Sequence, residues 1–347
     1  MLNRFGKSNK GYIAGKSAFY SRKLDRMYMK LEAEIRDVYL AQPLRRRCVV
    51  CDGKLTGSRF TIRKVGYSLC HGCGHFNGIH EDTDTFVRHV YNLQSSGNDG
   101  AYLDASIETF NARVKEIYRP KVDFMLDALV AGGENPQRLR YADIGAGAGH
   151  FVKAMRDAGL ANSVGYETST VLVENTNKLL GTRLLQANDI EKVGKIVATI
   201  DAEVLTMIFS LEHVRNLRKF AARLRENKRI KWFFFAVPMF NPSIMLEALF
   251  TRRMTRSIGC GHTHLFTKSS IEKFCADNSF AVEAAWWFGG NGFDLHRLVS
   301  ASLAADPQTQ PLVAQWDDMM AKVIDPLQLA FDKAQMSSEV HMLARIR

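Results

Sequence analysis

The strongest constraint on the fold of this sequence is a glycine-rich segment near its middle. In residues 141–151, which read YADIGAGAGHF, an apolar run ends at Ile144 and a helical pattern starts near Gly149. Glycines permit a tight turn and a close approach of the backbone to a ligand, and the first turn of a helix leaves N–H groups free. The segment predicts a strand, a ligand-binding loop and a helix, with a purely structural turn as the alternative interpretation.

Strand and helix patterns alternate on the carboxyl side of a Gly-Gly-Glu-Asn-Pro break at 132–136. Helical stretches such as 149–158 and 214–225 separate apolar runs of strand length. The alternation predicts a parallel sheet with helices on both faces. We therefore expect an α/β, Rossmann-like, doubly wound fold of seven strands. The strands are expected at 139–144, 163–167, 183–186, 204–209, 231–237, 280–288 and 340–346.

A carboxylate closes the second predicted strand. Glu167 lies about 20 residues beyond the glycine loop, the distance at which an acidic residue takes both ribose hydroxyls of a bound nucleoside. Because the glycine loop and the acidic residue both indicate a nucleoside site, a ligand site is favoured over a structural turn.

This combination resembles the class I methyltransferases that depend on S-adenosylmethionine (SAM), whose loop reads DxGxGxGxF rather than the GxGxxG of NAD enzymes. The resemblance implies that Asp143 lies near the methionine end of SAM, that the glycines pack against the cofactor and that Glu167 binds the ribose. It places Asn188 and Asp189 near the adenine. The cofactor-binding residues that it implies are Asp143, Gly145, Gly147, Gly149, Phe151, Glu167, Asn188, Asp189, Phe209 and Leu211.

Four of the six cysteines form two CxxC pairs, which 18 residues separate. This spacing is typical of a zinc site, and two such knuckles place four thiolates around one tetrahedral ion. Because four thiolates leave no open position, we expect a structural zinc whose binding supplies folding energy to a small segment. The expected ligands are Cys48, Cys51, Cys70 and Cys73.

The order of these elements, over roughly residues 45–290, also resembles a narrower family, the zinc-containing methyltransferases of nucleotide-linked deoxysugars. That family carries a His-Glu-His-Leu motif after its fifth strand, and here the corresponding run is His262-Thr263-His264-Leu265. The resemblance implies that His262 and His264 are catalytic, and the missing glutamate disfavours C-methylation. Since a histidine is a sufficient base for a hydroxyl or an amine, we expect O-methylation ahead of N- or C-methylation. The expected acceptor is a small hydroxylated or amino compound, foremost a sugar or a nucleotide-linked sugar.

Five further residues are candidates for contacts to the acceptor. Tyr102 and Tyr118 precede the glycine loop, Arg252 and Arg253 lie between the fifth strand and the histidine run, and Asn291 follows the sixth strand. Arginine suits a phosphate because of its planar fork of donors. Core packing of the tyrosines and a solvated basic surface are the alternative interpretations.

A net charge of +11 favours anionic partners. An RNA- or protein-modifying methyltransferase is therefore an alternative function, although no aromatic and basic platform for nucleic acid is evident. A non-enzymatic scaffold of the same fold is a second alternative. No run reaches the ~18 apolar residues of a membrane helix, and no apolar segment of a secretory signal follows the basic N-terminus. We expect a cytoplasmic protein.

Shifts in composition divide the sequence into four parts. We expect a basic helical segment at 1–43, a zinc-binding module at 44–82, a helical linker or lid at 83–133 and the SAM-binding domain at 134–347. The last part holds a helical insertion from about residue 290 to about residue 338, ahead of the final strand.

Overall fold

The computed structural model describes residues 1–8, 22–93, 106–188, 193–258 and 262–347. The strands in these ranges are β1 (Leu2–Phe5), β2 (Arg59–Ile62), β3 (Val65–Leu69), β4 (Phe76–Gly78), β5 (Tyr141–Ile144), β6 (Ser163–Glu167), β7 (Leu185–Ala187), β8 (Val204–Ile208), β9 (Trp232–Pro238), β10 (His264–Leu265), β11 (Phe280–Phe288) and β12 (Glu339–Ile346). The helices are α1 (Arg22–Leu40), α2 (Asp84–Leu93), α3 (Ile107–Arg113), α4 (Arg119–Ala131), α5 (His150–Asp157), α6 (Thr170–Leu180), α7 (Val193–Thr199), α8 (Leu217–Glu226), α9 (Pro242–Leu249), α10 (Lys268–Asp277), α11 (Asn291–Leu303) and α12 (Val313–Lys333).

Eight strands form the central sheet, in the order β1-β11-β12-β9-β8-β5-β6-β7. The strands from β5 to β9 are mutually parallel, and β12 runs antiparallel to both of its neighbours. The seven predicted strands are all present. The order reverses between β5 and β8, which confirms the doubly wound, Rossmann-like α/β fold and places a crevice at their carboxyl ends.

The eighth strand, β1, is not among the predicted ones. It pairs in parallel with β11 at the edge of the sheet, with Leu2 opposite Ala284. Its four residues, LNRF, show no apolar alternation, so only the pairing with β11 makes this segment a strand. The helical segment expected at 1–43 is corrected accordingly, because it begins as a strand and its helix α1 is described from Arg22.

The core lies on both faces of the central sheet. All seven residues of β9 are buried, as expected for a strand in the middle of a sheet that helices cover on both sides. Phe220 of α8 and Phe274 of α10 pack on one face, whereas Phe124 of α4 and Phe151 of α5 pack on the other. The carboxyl edge of the sheet remains for a ligand.

The segment with the cysteines forms a second, antiparallel sheet in the order β10-β4-β3-β2. Strand β10 comes from a distant part of the chain, with His264 opposite Asn77 of β4. Helix α1 packs on the same layer through Ile35 and Tyr39. The module expected at 44–82 is therefore integrated into the protein, since one of its strands and one of its helices come from elsewhere in the chain.

Helices account for much of the remaining described chain. In the linker expected at 83–133, α2 and α3 are followed by a π-helical turn at Val114–Tyr118 and by α4. The expected helical insertion consists of α11 and α12, which pack together through Phe293, Met320 and Ile324. Within the described part of the chain, no helix has the length and apolar character needed to cross a bilayer.

Candidate functional site

The glycine loop joins β5 to α5 through three left-handed residues. Gly145, Gly147 and Gly149 have φ angles of 72°, 55° and 76°, a region that favours glycine. A Cβ atom on Gly145 would lie 2.6 Å from the Cβ of Ser210, whereas a Cβ on Gly147 would meet no atom of the described residues within 4 Å. The loop therefore packs against the segment after β8 and leaves open space beside Gly147.

Glu167, at the end of β6, is hydrogen-bonded to this loop. Its Oε2 accepts a bond from the backbone N–H of Gly147 at 2.7 Å, and its Oε1 accepts from the backbone N–H groups of Thr168 and Ser169 at 2.7 and 2.9 Å. The residue is 6% exposed. Since a carboxylate has about four acceptor positions, Oε2 retains room for a hydroxyl donor of a ligand.

Asn188 directly follows β7, and its backbone N–H donates to the carbonyl of Glu167 at 2.9 Å. Both polar atoms of its side-chain amide are buried and have no hydrogen-bond partner among the described residues. A buried amide without partners is costly, and a ligand edge with one donor and one acceptor, such as that of adenine, would satisfy it. Asp189, predicted together with Asn188, lies outside the described residues.

Asp143 is buried within β5. Its Oδ1 accepts a hydrogen bond from the hydroxyl of Thr206, in the neighbouring strand β8, at 2.6 Å. Burial raises the pKa of Asp143 to about 7, although the bond from Thr206 opposes the rise. The carboxyl group lies where the strand order reverses, next to the glycine loop.

Two residues of the predicted cofactor set lie in the core. Phe151 is 2% exposed and stacks on Phe234 with the ring centroids 6.0 Å apart, and Leu211 is fully buried. The phenylalanine of the DxGxGxGxF pattern therefore packs beneath the loop and not in the cleft. Phe209, which follows β8, has a φ of 56° and its ring lies 5.8 Å from the ring of His341.

Aromatic stacking that the sequence does not reveal occurs at the start of α5. The imidazole of His150 stacks on Phe110 and on Tyr118, with centroid distances of 4.4 and 5.2 Å. Tyr118, predicted as an acceptor contact, thus reaches the helix that follows the glycine loop. Tyr102, predicted with it, lies outside the described residues.

A polar cluster lies just beyond Ser210. Glu212 is 5% exposed, and neither of its carboxylate oxygens has a hydrogen-bond partner within the described ranges. Its Oε1 lies 3.9 Å from Nε2 of His262, and the rings of His262 and His213 stack with centroids 6.0 Å apart. The potential ligand atoms of these three residues all lie within 4.8 Å of one another. We call Glu212, His213 and His262 the Glu212 cluster.

Burial sets the protonation of this cluster. It raises the pKa of Glu212 to about 8. It lowers the pKa of His262 to about 3, and the neighbouring rings of His213 and His264 add to the decrease. The imidazole of His262 is therefore neutral near pH 7 and has a lone pair, which can accept a hydrogen bond or bind a cation.

His264 has different surroundings from His262. It is 3% exposed, its Nδ1 lies 3.0 Å from Nε2 of His75, and Nδ1 of His75 lies 3.1 Å from the hydroxyl of Ser270. His264 also lies against the backbone of Glu212. These contacts join the second sheet to the turn that carries Glu212, so His264 helps to fix the position of the Glu212 cluster.

Glu212 is the functional candidate that reasoning from the sequence misses. It precedes His262 by 50 residues, and the histidine run has Thr263 where a glutamate is expected. The fold nevertheless brings a carboxylate to His262. The signal that could have found it is the acid-histidine pair Glu212-His213 directly after the strand at the reversal of strand order.

The remaining acceptor candidates lie apart from this cluster. Arg252 is exposed, and the guanidinium of Arg253 donates to the carbonyl of Ala301. Asn291 is 1% exposed, and its amide donates to Oδ1 of Asn241 at 3.1 Å. Packing contacts thus engage Arg253 and Asn291, and no described contact joins them to the Glu212 cluster.

The four cysteines of the two CxxC pairs converge. The Sγ atoms of Cys48 and Cys73 lie 3.6 Å apart, those of Cys51 and Cys70 lie 3.5 Å apart, and all four lie within 4.8 Å of one another. A tetrahedral zinc with Zn–S bonds of about 2.3 Å requires sulfur atoms about 3.8 Å apart. The amide of Asn77 donates to Cys48 Sγ at 3.6 Å, as expected around a thiolate ligand. These residues fit a zinc ion.

The profile of a family described as "Methyltransferase domain" matches residues 110–285, which are 176 of the 347 residues. The match begins in α3 and ends within β11, so it includes the glycine loop and the Glu212 turn. No curated protein sequence matches the chain.

Among solved structures, a plantazolicin methyltransferase in complex with SAH and an analogue is 12% identical, with coverage of 74% of this chain and 94% of that chain and a TM-score of 0.46. A putative sarcosine dimethylglycine methyltransferase from Galdieria sulphuraria is 12% identical, with 76% and 98% coverage and a TM-score of 0.43. Magnesium protoporphyrin IX methyltransferase from Synechocystis PCC 6803, with bound SAH, is 18% identical, with 58% and 90% coverage and a TM-score of 0.40. The three names refer to different acceptors.

Proposed function

The chain belongs to the methyltransferase domain family and is a SAM-dependent methyltransferase, and from this premise we propose that it methylates a hydroxyl oxygen of a small acceptor. The observation that carries the proposal is the Glu212 cluster, in which a buried carboxylate lies 3.9 Å from a histidine. SAM supplies a methyl group activated on a sulfonium, so that the carbon–sulfur bond breaks as the carbon–oxygen bond forms and the sulfur keeps the electron pair. Membership in an enzyme family sets aside the non-enzymatic scaffold suggested as an alternative by the sequence.

The proposed donor site lies across the carboxyl ends of β5 and β6. Oε2 of Glu167 accepts a bond from a ribose hydroxyl, and the amide of Asn188 pairs with the adenine edge. The open space beside Gly147 lets the cofactor approach the backbone, and Asp143 lies on the methionine side. The unpartnered amide of Asn188 supports this arrangement, since a bound adenine would satisfy both of its polar atoms.

The proposed acceptor site lies between the donor and the Glu212 cluster. The hydroxyl of Ser210 donates to the carbonyl of Ile144 at 2.7 Å, which attaches the turn with Glu212 to the strand that precedes the glycine loop. The chain orients the acceptor oxygen toward the methyl group. The carboxylate of Glu212 takes the proton of the acceptor, and the neutral imidazole of His262 lies beside it as a hydrogen-bond acceptor. His264, predicted as catalytic with His262, would act as a positioning residue through its contacts to His75 and to the backbone of Glu212.

A basic groove on the cysteine-containing sheet supports an acceptor with an anionic part. Its volume is about 400 Å³. Arg45 and Arg47 are paired with Asp82 and Asp52, whereas the other basic side chains of the groove are exposed and can bind a phosphate group. Together with the resemblance of the sequence, this makes a nucleotide-linked sugar the acceptor class that we propose first. The residues that line the groove are Leu44, Arg45, Arg46, Arg47, Lys54, Leu55, Thr56 and Arg59.

The four cysteines are proposed to hold a structural zinc. A zinc ion there would fix the sheet that contributes His75, and through it the position of His264. Four thiolates leave no open position, so this ion would take no part in methyl transfer.

A labelled-SAM transfer assay tests the proposed function. The panel contains nucleotide-linked sugars, free sugars, amines and RNA, and the variants are Glu212→Gln and His262→Ala. We expect transfer to a hydroxylated acceptor and a decrease in kcat of at least about tenfold in each variant, because removal of a proton-handling group costs this much or more. The matched controls are Glu272→Gln and His89→Gln, which change the same residue types outside the cluster.

Two outcomes contradict the proposal. Transfer to RNA alone would move the acceptor class to nucleic acid. Unchanged turnover in both Glu212→Gln and His262→Ala would remove the cluster from the reaction.

A further inference from the structure

Glu212 is an anomalous buried group. Its side chain is 1% exposed, and neither carboxylate oxygen has a hydrogen-bond partner in the described chain. The basic side chain nearest to it in the described structure is the neutral imidazole of His262, at 3.9 Å, and no lysine or arginine of the described residues is recorded within ion-pair distance of it. Buried carboxylates are normally paired, hydrogen-bonded or bound to a metal ion. Without a further positive group, this carboxylate is left unsatisfied.

The geometry of the cluster suits one metal ion. The Glu212 and His262 ligand atoms are 3.9 Å apart, and all three ligand atoms lie within 4.8 Å. Ligands bound at about 2.1 Å from a common ion lie roughly 3 to 4 Å apart, so small side-chain movements would complete the site.

The ligand types indicate the kind of cation. Two imidazole nitrogens and one carboxylate oxygen suit borderline divalent ions such as Zn²⁺, Mn²⁺ and Fe²⁺, whereas Mg²⁺ and Ca²⁺ prefer oxygen ligands alone. Three protein ligands leave at least one position open, in contrast to the four cysteines. His213 is exposed, so that solvent reaches the site.

Residues next to the three candidate ligands fix their orientation. His264 lies against the backbone of Glu212 and is hydrogen-bonded to His75, which is hydrogen-bonded in turn to Ser270. Such outer partners orient metal ligands and raise their affinity.

We propose that Glu212, His213 and His262 bind a divalent transition-metal cation, and that an open position on this cation takes the hydroxyl oxygen of the acceptor. A metal-bound hydroxyl loses its proton more readily, and the proton passes to solvent water past His213. His262 then acts as a ligand, and the cation promotes the deprotonation. This chemical role rests on the proposed function, whereas cation binding does not.

The test is a Mn²⁺ titration of the full zinc-loaded chain, followed by electron paramagnetic resonance. Mn²⁺ is the probe because it favours nitrogen and oxygen ligands and leaves zinc thiolate sites intact. We expect one Mn²⁺ bound per chain, and at least about tenfold weaker binding in Glu212→Gln and His262→Ala, since even outer-shell changes cost this much. Glu272→Gln and His89→Gln should bind as the wild type does, and circular dichroism verifies that each variant is folded.

The outcomes separate this inference from the proposed function. Absence of Mn²⁺ binding to the wild type, or equal binding to Glu212→Gln, would overturn the cation site. Methyl transfer that persists in excess EDTA, with the zinc of the cysteines retained, would overturn the role of the cation and leave the proposed function standing. Mn²⁺ binding without transfer to any hydroxyl would overturn the proposed function and uphold the site.

Discussion

The backbone N–H of Gly147 donates to Oε2 of Glu167 at 2.7 Å, so the loop after the first strand of the Rossmann-like unit and the acid after the second act as one structure. This bond holds the loop in the conformation that leaves the space beside Gly147 open. The two elements expected to bind the donor are therefore coupled before any ligand arrives.

We expect Glu167→Gln to weaken SAM binding by about tenfold or more. The amide of glutamine keeps one acceptor oxygen and has an NH2 group in place of the other. One of the two bonds, from Gly147 or from Thr168, is therefore lost, and a bond to a charged group contributes about 1.5–3 kcal/mol. Isothermal titration calorimetry with SAM measures the change. The matched control is Glu174→Gln, an exposed glutamate of α6, which should leave the affinity unaltered.

Alanine at Gly145 and at Gly147 should have separable effects. At Gly145 the new Cβ would lie 2.6 Å from the Cβ of Ser210, and a left-handed backbone adds strain, so we expect a loss of roughly 3 kcal/mol in the free energy of unfolding. At Gly147 no described residue comes within 4 Å of the new Cβ, so the loss should be only about 1 kcal/mol, while SAM affinity falls.

Gly133→Ala is the control for this comparison, because Gly133 is also left-handed and unobstructed but lies in the turn after α4. Urea unfolding of Gly133→Ala should show a similar loss in the free energy of unfolding, about 1 kcal/mol, and calorimetry should show an unchanged SAM affinity. Equal affinity in wild type and Gly147→Ala would argue against a cofactor beside this glycine.

The free energy of unfolding should decrease as pH rises because of Asp143. Burial raises its folded-state pKa to about 7, whereas the unfolded value is about 3.9. Between these values the unfolded chain has lost the proton and the folded chain retains it, so the free energy of unfolding falls as pH rises, by up to roughly 4 kcal/mol. Urea unfolding from about pH 4 to about pH 7 measures this slope.

Asp143→Asn keeps an acceptor for Thr206 and should abolish that contribution. The control Asp277→Asn changes an exposed carboxylate and should retain the wild-type slope. If the free energy of unfolding changed with pH in the same way in the wild type and in Asp143→Asn, Asp143 would be ionised throughout this pH range.

Removal of one cysteine ligand should release a metal. We expect one zinc per wild-type chain by atomic absorption, and its loss in Cys70→Ser together with a large fall in Tm, because structural zinc contributes on the order of 10 kcal/mol to small folded units. Cys275→Ala is the control, since this buried cysteine lies outside the cluster. Full zinc content in Cys70→Ser would refute the four-cysteine site.

Two arginines between β9 and β10, Arg252 and Arg256, should differ in their contribution to stability. Arg256 donates to both oxygens of the fully buried carboxylate of Asp294, at 3.0 and 2.9 Å. Because Arg297 still pairs with Asp294 at 2.9 Å, Arg256→Ala should cost about 1.5–3 kcal/mol. Arg252 is exposed, and Arg252→Ala should change the free energy of unfolding by less than about 0.5 kcal/mol. Similar losses in the free energy of unfolding of the two variants, measured with urea, would contradict the assignment of Arg256 to a buried ion pair.

The alternation of strands and helices, the glycine loop and the spacing of the cysteines are properties of short stretches of sequence. Each depends on backbone preferences or periodicity within a few residues, and for this reason the α/β fold and its seven strands could be predicted. The four cysteines could be grouped for the same reason, because two local knuckles need only one long-range contact to meet.

Tertiary structure alone decided which polar groups face one another. Glu212 and His262 are separated by 50 residues, and only the turn after β8 and the chain that leads into β10 bring them together. Strand β1 likewise exists through its pairing with β11. Phe151 and Leu211 belong to the core because distant segments pack against them, such as Phe234 of β9 against Phe151. Local patterns specify elements, whereas burial and pairing depend on the whole packed chain, since the free energy of a contact is realised only when distant segments exclude water together.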